Sequence, residues 1–508
     1  RDKFAPGRRR GRLTGKGRDD SPRHPHIRNT MNRAEYMAHD AVGLAGAIRR
    51  GDTTASEALG LALTLLDQAE PELNALPVDL REIGRARAAD APDGPLGGVP
   101  FLLKNLGADW AGVPETAGSQ LLQDNVGAFT RTFVQRYLNA GLVVFGRTSS
   151  PEFGISYLTE PAIYGPTRNP WDISRSPGGS SGGAAALVAA GVLPAAQASD
   201  GGGSIRIPAA CCGLVGLKLT RSRVPTGPKL GESWAGLAGA HVITRSVRDT
   251  AAFLDIAKGY DEGQPNHPEN AHLIFADTVS RLDRPLRIGV SEYARRLTPT
   301  DPEVSGCLMA TVERLSEMGH AVSEVSPGHS LEETEYVLWA LVSANLATGV
   351  ADIRRALRRE GSLEDGLEPA TAACIRMSDG WTAQDYIRLL VRRDQLARAY
   401  VTVFRDVDVL LTPVMPGPAP RIGALTFRGP GFEDYRHEMF RQMPYTPIQN
   451  IAGTPAISLP LGMTEAGLPI GLMFSTAYGR EDILLGLAGQ LESAMGGFNR
   501  VAPLLIRA

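Results

Sequence analysis

Two glycine-rich turns constrain this chain more than anything else in it: PGGSSGG at residues 177–183 and GGGS at residues 201–204. Glycine loses more conformational entropy on folding than any other residue. Such density persists where the backbone must approach something closely or take positive φ. Both turns carry serine, and Ile205 and Arg206 follow the second at once. Between Gly182 and Ser199 the chain is uncharged and largely apolar, which a flexible Gly/Ser linker would not be. The pattern therefore brackets a place where backbone N–H groups converge, and a developing oxyanion is the target they would serve.

Several chemistries compete for such a motif. A phosphate-binding loop needs G-x-x-x-x-G-K-[ST], and no lysine follows GGSSGG. A dinucleotide site needs G-x-G-x-x-G after a strand, a spacing that GGGSIR breaks. Residues 178–182 do satisfy G-x-S-x-G, which would make Ser180 the nucleophile of a strand-to-helix elbow. That elbow must follow a buried strand and find a histidine downstream. Here NPWDISRSP precedes it, and His437 stands in the polar run GFEDYRHEMF. A different base is offered upstream, where the apolar run 97–103 leads straight into Lys104. An ammonium at the end of a buried strand is costly and gives up its proton more easily. Most lysines instead reach solvent with their charged ends.

GGSSGG at 178–183, followed by DGGGSIRIPA at 200–209, resembles the signature of the amidase signature family. GGVPFLLKN at 97–105 is similar to that family's lysine motif, and RNPWDISRSP and NIAGTPAISLPLG (450–462) also look like family members. The resemblance runs from about residue 41 to the C-terminus. Asn105 stands where the family usually has Asp, and Leu219 where its K-P-T has proline. The branch it looks most like is that of bacterial hydrolases of non-peptide amides: 6-aminohexanoate cyclic dimer hydrolases and carbamate-cleaving (urethanase-type) amidases.

The resemblance implies an α/β fold, an α/β/α sandwich with a large mixed central sheet and a helical insertion. It implies hydrolysis of an amide, anilide or carbamate through a Ser-Ser-Lys triad and an acyl-enzyme. Ser204 is then the nucleophile, Lys104 the base and Ser180 the proton relay between them. A serine hydroxyl is a poor nucleophile until a base takes its proton, and lysine serves only if burial lowers its pKa from about 10.4 toward about 7–8. Gly201, Gly202 and Gly203, with the amide of Ser204, would form the oxyanion hole. Ser181 would orient the lysine, and Asp200 and Arg206, which flank the loop, would either bind substrate or pair to hold the turn. An ester or carbamate hydrolase of the same family would differ only in its pocket; an amidotransferase subunit would use the same site inside a complex.

The rest of the sequence bounds these expectations. A net charge of −2 argues against a nucleic-acid partner. No run of 18 or more apolar residues occurs, so no membrane span is expected. Four cysteines, two adjacent at Cys211 and Cys212, make no disulfide framework and suit a cytoplasmic protein. No H-E-x-x-H, C-x-x-C or histidine cluster calls for a metal or cofactor, and His241 reads as a core or rim residue. The expected partner is a small amide or carbamate, and the expected state a monomer or homodimer. Tyr157, Tyr164 and Trp234, with Trp110, Trp339, Trp381 and Tyr445, are candidate pocket walls, an aromatic supply that favours apolar substrates.

Residues 1–30 hold ten Lys/Arg against three Asp/Glu and almost no apolar residues; they read as a disordered basic extension, possibly not native, that ends before Met31. Residues 31–508 read as one domain. Its core would be about 31–260 and 401–508, with a smaller α/β and helical insertion at about 277–400. Periodicity predicts one helix over 34–50, a Thr54/Glu57 capping box opening the next, a strand leading to Lys104, and a strand over 210–219. Elements 286–290, 301–318 and 321–325 read as a strand–helix–strand unit, and helix followed by strand suggests a parallel sheet.

Overall fold

The computed structural model describes residues 31–505 apart from Ala271 and Pro430. The expectation for residues 1–30 lies outside the described residues. Among the described residues eleven strands run in chain order: β1 (Val78–Asp79), β2 (Pro100–Lys104), β3 (Val143–Thr148), β4 (Ala195–Asp200), β5 (Val215–Lys218), β6 (Gly239–Thr244), β7 (Arg287–Val290), β8 (Ala321–Glu324), β9 (Val409–Pro413), β10 (Ala456–Met463) and β11 (Pro469–Thr476). Eight of them form one sheet in the order β4-β6-β5-β10-β11-β9-β7-β8, and β1-β3-β2 form a second, small one. Every residue of β2, β3, β9 and β11 is buried, so both faces of these strands are covered, and helices do the covering. The result is an α/β/α sandwich with a large mixed sheet.

The sheet is mixed, as the resemblance implied, and the 286–325 unit pairs in parallel as expected. Pairing is antiparallel from β4 through β9 and parallel for β9-β7-β8 and β2-β3. The strands of that stretch, β7 and β8, extend the main sheet. Only the helices that follow, Leu331–Ala356, Pro369–Arg376 and Ala383–Val401, make an excursion.

Local readings fail where a cap or a proline decides. Residues 34–50 form two helices, Arg33–Ala38 and Ala41–Arg50, because Asp40 caps Gly43 and starts the second afresh. The predicted strand over 210–219 is a helix, Arg206–Cys212, followed by β5. Pro208 fits that helix because the first four N–H groups of any helix lack intrahelical partners. Gly213, at φ 72°, ends it. The Thr54/Glu57 capping box opens the helix Ala55–Leu73 as predicted.

The helix Leu331–Ala356 has the length and hydropathy of a membrane span, which the sequence reading did not expect. Its residues Val337, Leu338, Leu341 and Val342 are nevertheless buried in the protein core.

Candidate active site

Lys104 closes β2 with its side chain wholly buried. Its Nζ lies 2.7 Å from Ser180 Oγ, 3.0 Å from Ser181 Oγ and 3.1 Å from Ser199 Oγ. Burial pulls its pKa down to about 7, with the negative charge of Asp200 pulling weakly the other way. Among the described residues no carboxylate forms an ion pair with it. A neutral amine has two N–H groups and one lone pair, matching three hydroxyls. Ser181 Oγ donates to the Ser199 carbonyl, 3.2 Å, so toward Nζ it accepts. Ser180, at the shortest distance, can therefore donate into the lone pair.

Ser180 and Ser181 sit in the turn that feeds the helix Gly182–Ala189. Glycine is needed around them. A Cβ on Gly179 would meet the Leu158 carbonyl oxygen at 2.9 Å, and one on Gly183 the Ser149 amide at 2.4 Å. The Gly179–Ser180 peptide is cis. The Ser181 N–H donates to the Ser204 carbonyl, 3.3 Å, which joins the two glycine turns. Residue alternation along β4 completes the cradle, because positions two apart share a face. Gln197 Oε1 accepts from the Lys104 backbone N–H at 2.8 Å, and Ser199 reaches its Nζ. Sequence reasoning missed both residues, although Ser199 directly precedes the DGGGS motif.

The second turn is built on a fully buried ion pair, Asp200–Arg206, 2.9 Å. The carboxylate also accepts the N–H groups of Gly203 at 2.8 Å and Ile205 at 3.1 Å. Arg206 and these donors hold its pKa well below the usual carboxylate range, against the cost of burial. Asn450, from the NIAGTP segment, bonds both partners: it donates to Asp200 Oδ1 at 2.9 Å and accepts from Arg206 at 2.6 Å. This corrects the expectation for Gly203. Its N–H is committed to Asp200, and it borders neither cavity at the site. What fixes glycine there is φ 141° and a Cβ position 2.4 Å from Thr446 Oγ1. Gly201, Gly202 and Ser204 do face the cavity.

Two cavities meet at Ser204. One is walled by Tyr157, Leu338, Trp339, Val342, Met439 and Met443. The other, larger one also reaches Ser180 and Ser199 and is lined by Leu106, Phe133, Arg131, Thr226 and Ser233. Gly154, Gly201 and Trp234 border both. Tyr157, Trp234 and Trp339 are thus wall residues. Tyr164 is not: its hydroxyl lies 2.9 Å from Thr116 Oγ1, and Thr116 in turn bonds Asn105. Trp110, Trp381 and Tyr445 also line neither cavity. The methionine and aliphatic walls come from far along the chain and carried no motif.

The elbow reading finds no support in the geometry. Half-exposed His437 pairs with Glu335 through Nδ1, while the nitrogen facing Ser180 belongs to Lys104. His241 is buried in β6, and burial drops its pKa to about 3. Among the described residues no group of three or more His, Cys, Asp or Glu could hold a metal.

A mixed-sheet sandwich that brings Ser180 and Ser204 to a cavity, with a buried lysine behind Ser180, is the frame of a hydrolase. Comparison with known proteins narrows it to hydrolases acting on carbon–nitrogen bonds other than peptide bonds. The amidase family model matches residues 66–485, and the chain belongs to the amidase signature family. It is 34% identical over 491 residues to a 6-aminohexanoate-cyclic-dimer hydrolase of Pseudomonas sp. (strain NK87), covering 92% of this chain and 97% of that one. It is 30% identical over 468 residues to an acylamidase of Rhodococcus erythropolis, covering 89% and 94%. The solved structure of a 6-aminohexanoate cyclic dimer hydrolase with substrate superposes with a TM-score of 0.87 at 32% identity, covering 92% of this chain and 99% of that one.

Proposed function

We propose that this amidase cleaves uncharged, N-substituted amides through Ser204, Ser180 and Lys104, with an acyl-enzyme intermediate. The observation that carries this reading is the buried Lys104 amine, its pKa near 7, 2.7 Å from the Ser180 hydroxyl. Ser204 Oγ attacks the carbonyl carbon and passes its proton to Ser180, whose own proton moves to Nζ. Charge builds on the carbonyl oxygen against the amides of Gly201, Gly202 and Ser204. One such donor is typically worth about 2.7–4 kcal/mol in the transition state. The proton returns from Nζ through Ser180 to the departing amine as the carbon–nitrogen bond breaks. Water then hydrolyses the acyl-enzyme by the same route in reverse.

The two cavities support the substrate class. A primary amide would leave one of them empty, whereas an N-substituted amide fills one with its acyl part and the other with its amine part. The smaller cavity has no charged wall residue, and the guanidinium of Arg131 in the larger one is paired with Asp109 at 2.8 Å. Free charge on either arm of a substrate would lie unpaired there. The relative named for cyclic 6-aminohexanoate dimers fits this reading, since a cyclic diamide has methylene on both sides and no free end. Carbamates with apolar substituents share that shape, and neither a cofactor nor a partner protein is required.

The test is a serine-directed fluorophosphonate followed by peptide mapping, with a panel of anilide, alkyl amide, carbamate and ester substrates. The label should fall on Ser204, and Ser204→Ala should be neither labelled nor active. An adduct on Ser180 with Ser204→Ala still active overturns the scheme. Preference for small primary amides overturns the substrate class.

A further inference from the structure

The segment after β3 contains a residue that the chemistry above does not use. Glu152 is 2% exposed, and among the described residues no cation pairs with it. Burial pushes its pKa up, opposed by hydrogen bonds from its surroundings. Its Oε1 accepts from Ser119 Oγ at 2.6 Å and its Oε2 from the Glu368 N–H at 2.8 Å. Glu368 answers in kind: its Oε1 accepts from the Ala162 N–H at 2.8 Å. The two carboxyl groups thus clamp the loop 152–162 onto the start of the helix Pro369–Arg376 and onto the turn at Ser119.

The next two residues explain why a clamp is needed. Phe153, at φ 47°, and Gly154, at φ 74°, are consecutive left-handed residues. For a bulky residue such as Phe this conformation is strained, and it persists only where the surroundings enforce it. A Cβ on Gly154 would lie 3.2 Å from Ser180 Oγ, so the turn presses the backbone against that hydroxyl. Gly154 borders both cavities, and Ile155, Ser156 and Tyr157 continue the wall of the smaller one. The opposite wall, Leu338, Trp339 and Val342, comes from the helical excursion to which the clamp is tied.

We propose that Glu152 is a positioning residue for substrate specificity: it holds the Phe153–Gly154 turn in its strained form and so sets the width of the smaller, apolar cavity. The proposal rests on the reading above and places the acyl arm of the substrate in this cavity. It assigns the carboxyl group no proton transfer. It acts as a hydrogen-bond acceptor for the Ser119 hydroxyl and the Glu368 N–H, and the Thr371 hydroxyl of the same helix also donates to it.

That distinction makes the test specific. In Glu152→Gln the amide oxygen still accepts from the Glu368 N–H. The new NH2 donates to Ser119 Oγ, whose own proton turns to the Gly366 carbonyl, already 3.3 Å away. In Glu152→Ala the bonds from Ser119, Thr371 and Glu368 are all lost. The probes are two p-nitroanilides, one with an acetyl and one with an octanoyl group. Glu152→Ala should raise KM for the octanoyl substrate about tenfold, the loss expected of a buried hydrogen-bonded anchor, and change KM for the acetyl substrate and both kcat values little. Glu152→Gln should restore the native ratio with an unchanged pH profile. Ser119→Ala, which removes one bond and keeps the turn, should shift the same ratio by less and covers the case in which Glu152→Ala fails to fold. An equal loss on both substrates, an unchanged ratio in Ser119→Ala, or a Gln variant as impaired as the Ala variant each overturns the proposal. None of these outcomes depends on which serine carries the fluorophosphonate, so the two proposals fail separately.

Discussion

Lys104 and Lys218 are both buried at the ends of strands, and burial lowers the pKa of both. Their partners differ in kind. Nζ of Lys104 meets three side-chain hydroxyls. Nζ of Lys218 donates to two backbone carbonyls, those of Leu219 at 2.9 Å and Thr454 at 2.8 Å. A carbonyl oxygen can only accept, so nothing at Lys218 can hand the amine a proton. A hydroxyl can accept or donate, so the environment of Lys104 permits transfer in both directions. Burial alone therefore does not mark a base; the chemistry of the neighbours does. Lys218 joins the end of β5 to the segment before β10, and Lys104 joins a strand end to hydroxyls that can exchange a proton with it.

The comparison breaks first under substitution. Lys104→Ala should cost kcat about 10⁴-fold or more, as removal of a member of one proton-transfer unit does. The double variant Lys104→Ala/Ser180→Ala should be little worse than Lys104→Ala alone. Lys218→Met should keep kcat within a few-fold and lower unfolding stability by about 1–3 kcal/mol, because two carbonyls lose their donor. Steady-state kinetics beside denaturant unfolding read both numbers. A folded Lys218→Met enzyme as inactive as Lys104→Ala would erase the distinction.

Asp200 sharpens it, since its charge favours the ammonium form of both lysines. With Lys104 near pKa 7, kcat/KM should fall about tenfold per pH unit below that value as the base becomes protonated. Stability carries the complementary sign. The folded pKa of Lys104 lies below its ordinary 10.5, so between about 7 and 10.5 the unfolded chain binds more protons. The contribution of this group to stability rises with pH across that window, and the cost of burying its charge is felt in full below about 7. Asp200→Asn removes a charge that favours protonation, so the acid limb should move to lower pH. It also leaves Arg206 buried without its carboxylate, which should destabilise the fold by about 3–5 kcal/mol. A limb that moves upward would mean that Asp200 does not act on Lys104 through charge.

How much of this was legible follows from the range of each signal. The turn PGGSSGG, the run into Lys104 and the Thr54 capping box are local, and the sequence reading located all three. β4 was not seen, because Ala195, Ala196 and Ala198 have little strand preference; pairing with β6 imposes the strand. The fate of the Gly203 N–H depends on which way the Asp200 carboxylate points, which no periodicity records. Leu338, Met439 and Met443 reach Ser204 from more than 130 residues away in sequence. Their types are those of any core, so nothing distinguished them as walls. Tyr164 shows the converse error, an aromatic residue in the right segment with its hydroxyl facing away from the cavities.

The smallest expected effect tests how each lysine is held from behind. β5 holds Lys218 by ladder pairing, with Lys218 opposite Ala456. Lys104 has weaker ladder support, since the pairing of β2 with β3 shifts register between Phe101 and Leu103. Side chains take over: Gln197 on its N–H, Arg147 on its carbonyl oxygen at 3.2 Å, and Asn105 next in the chain. Asn105 accepts from the Thr116 N–H at 3.0 Å and donates to Thr116 Oγ1 at 2.7 Å, with the Tyr164 hydroxyl beyond. Tyr164→Phe removes only the outermost link of that chain. Thr116 Oγ1 keeps Asn105, so the variant should lose about 1 kcal/mol of unfolding stability and leave KM and the acid limb of kcat/KM unchanged. A rise in KM would return Tyr164 to the substrate wall. A shifted limb with unchanged KM would mean that the backbone behind Lys104 is held from as far away as Tyr164.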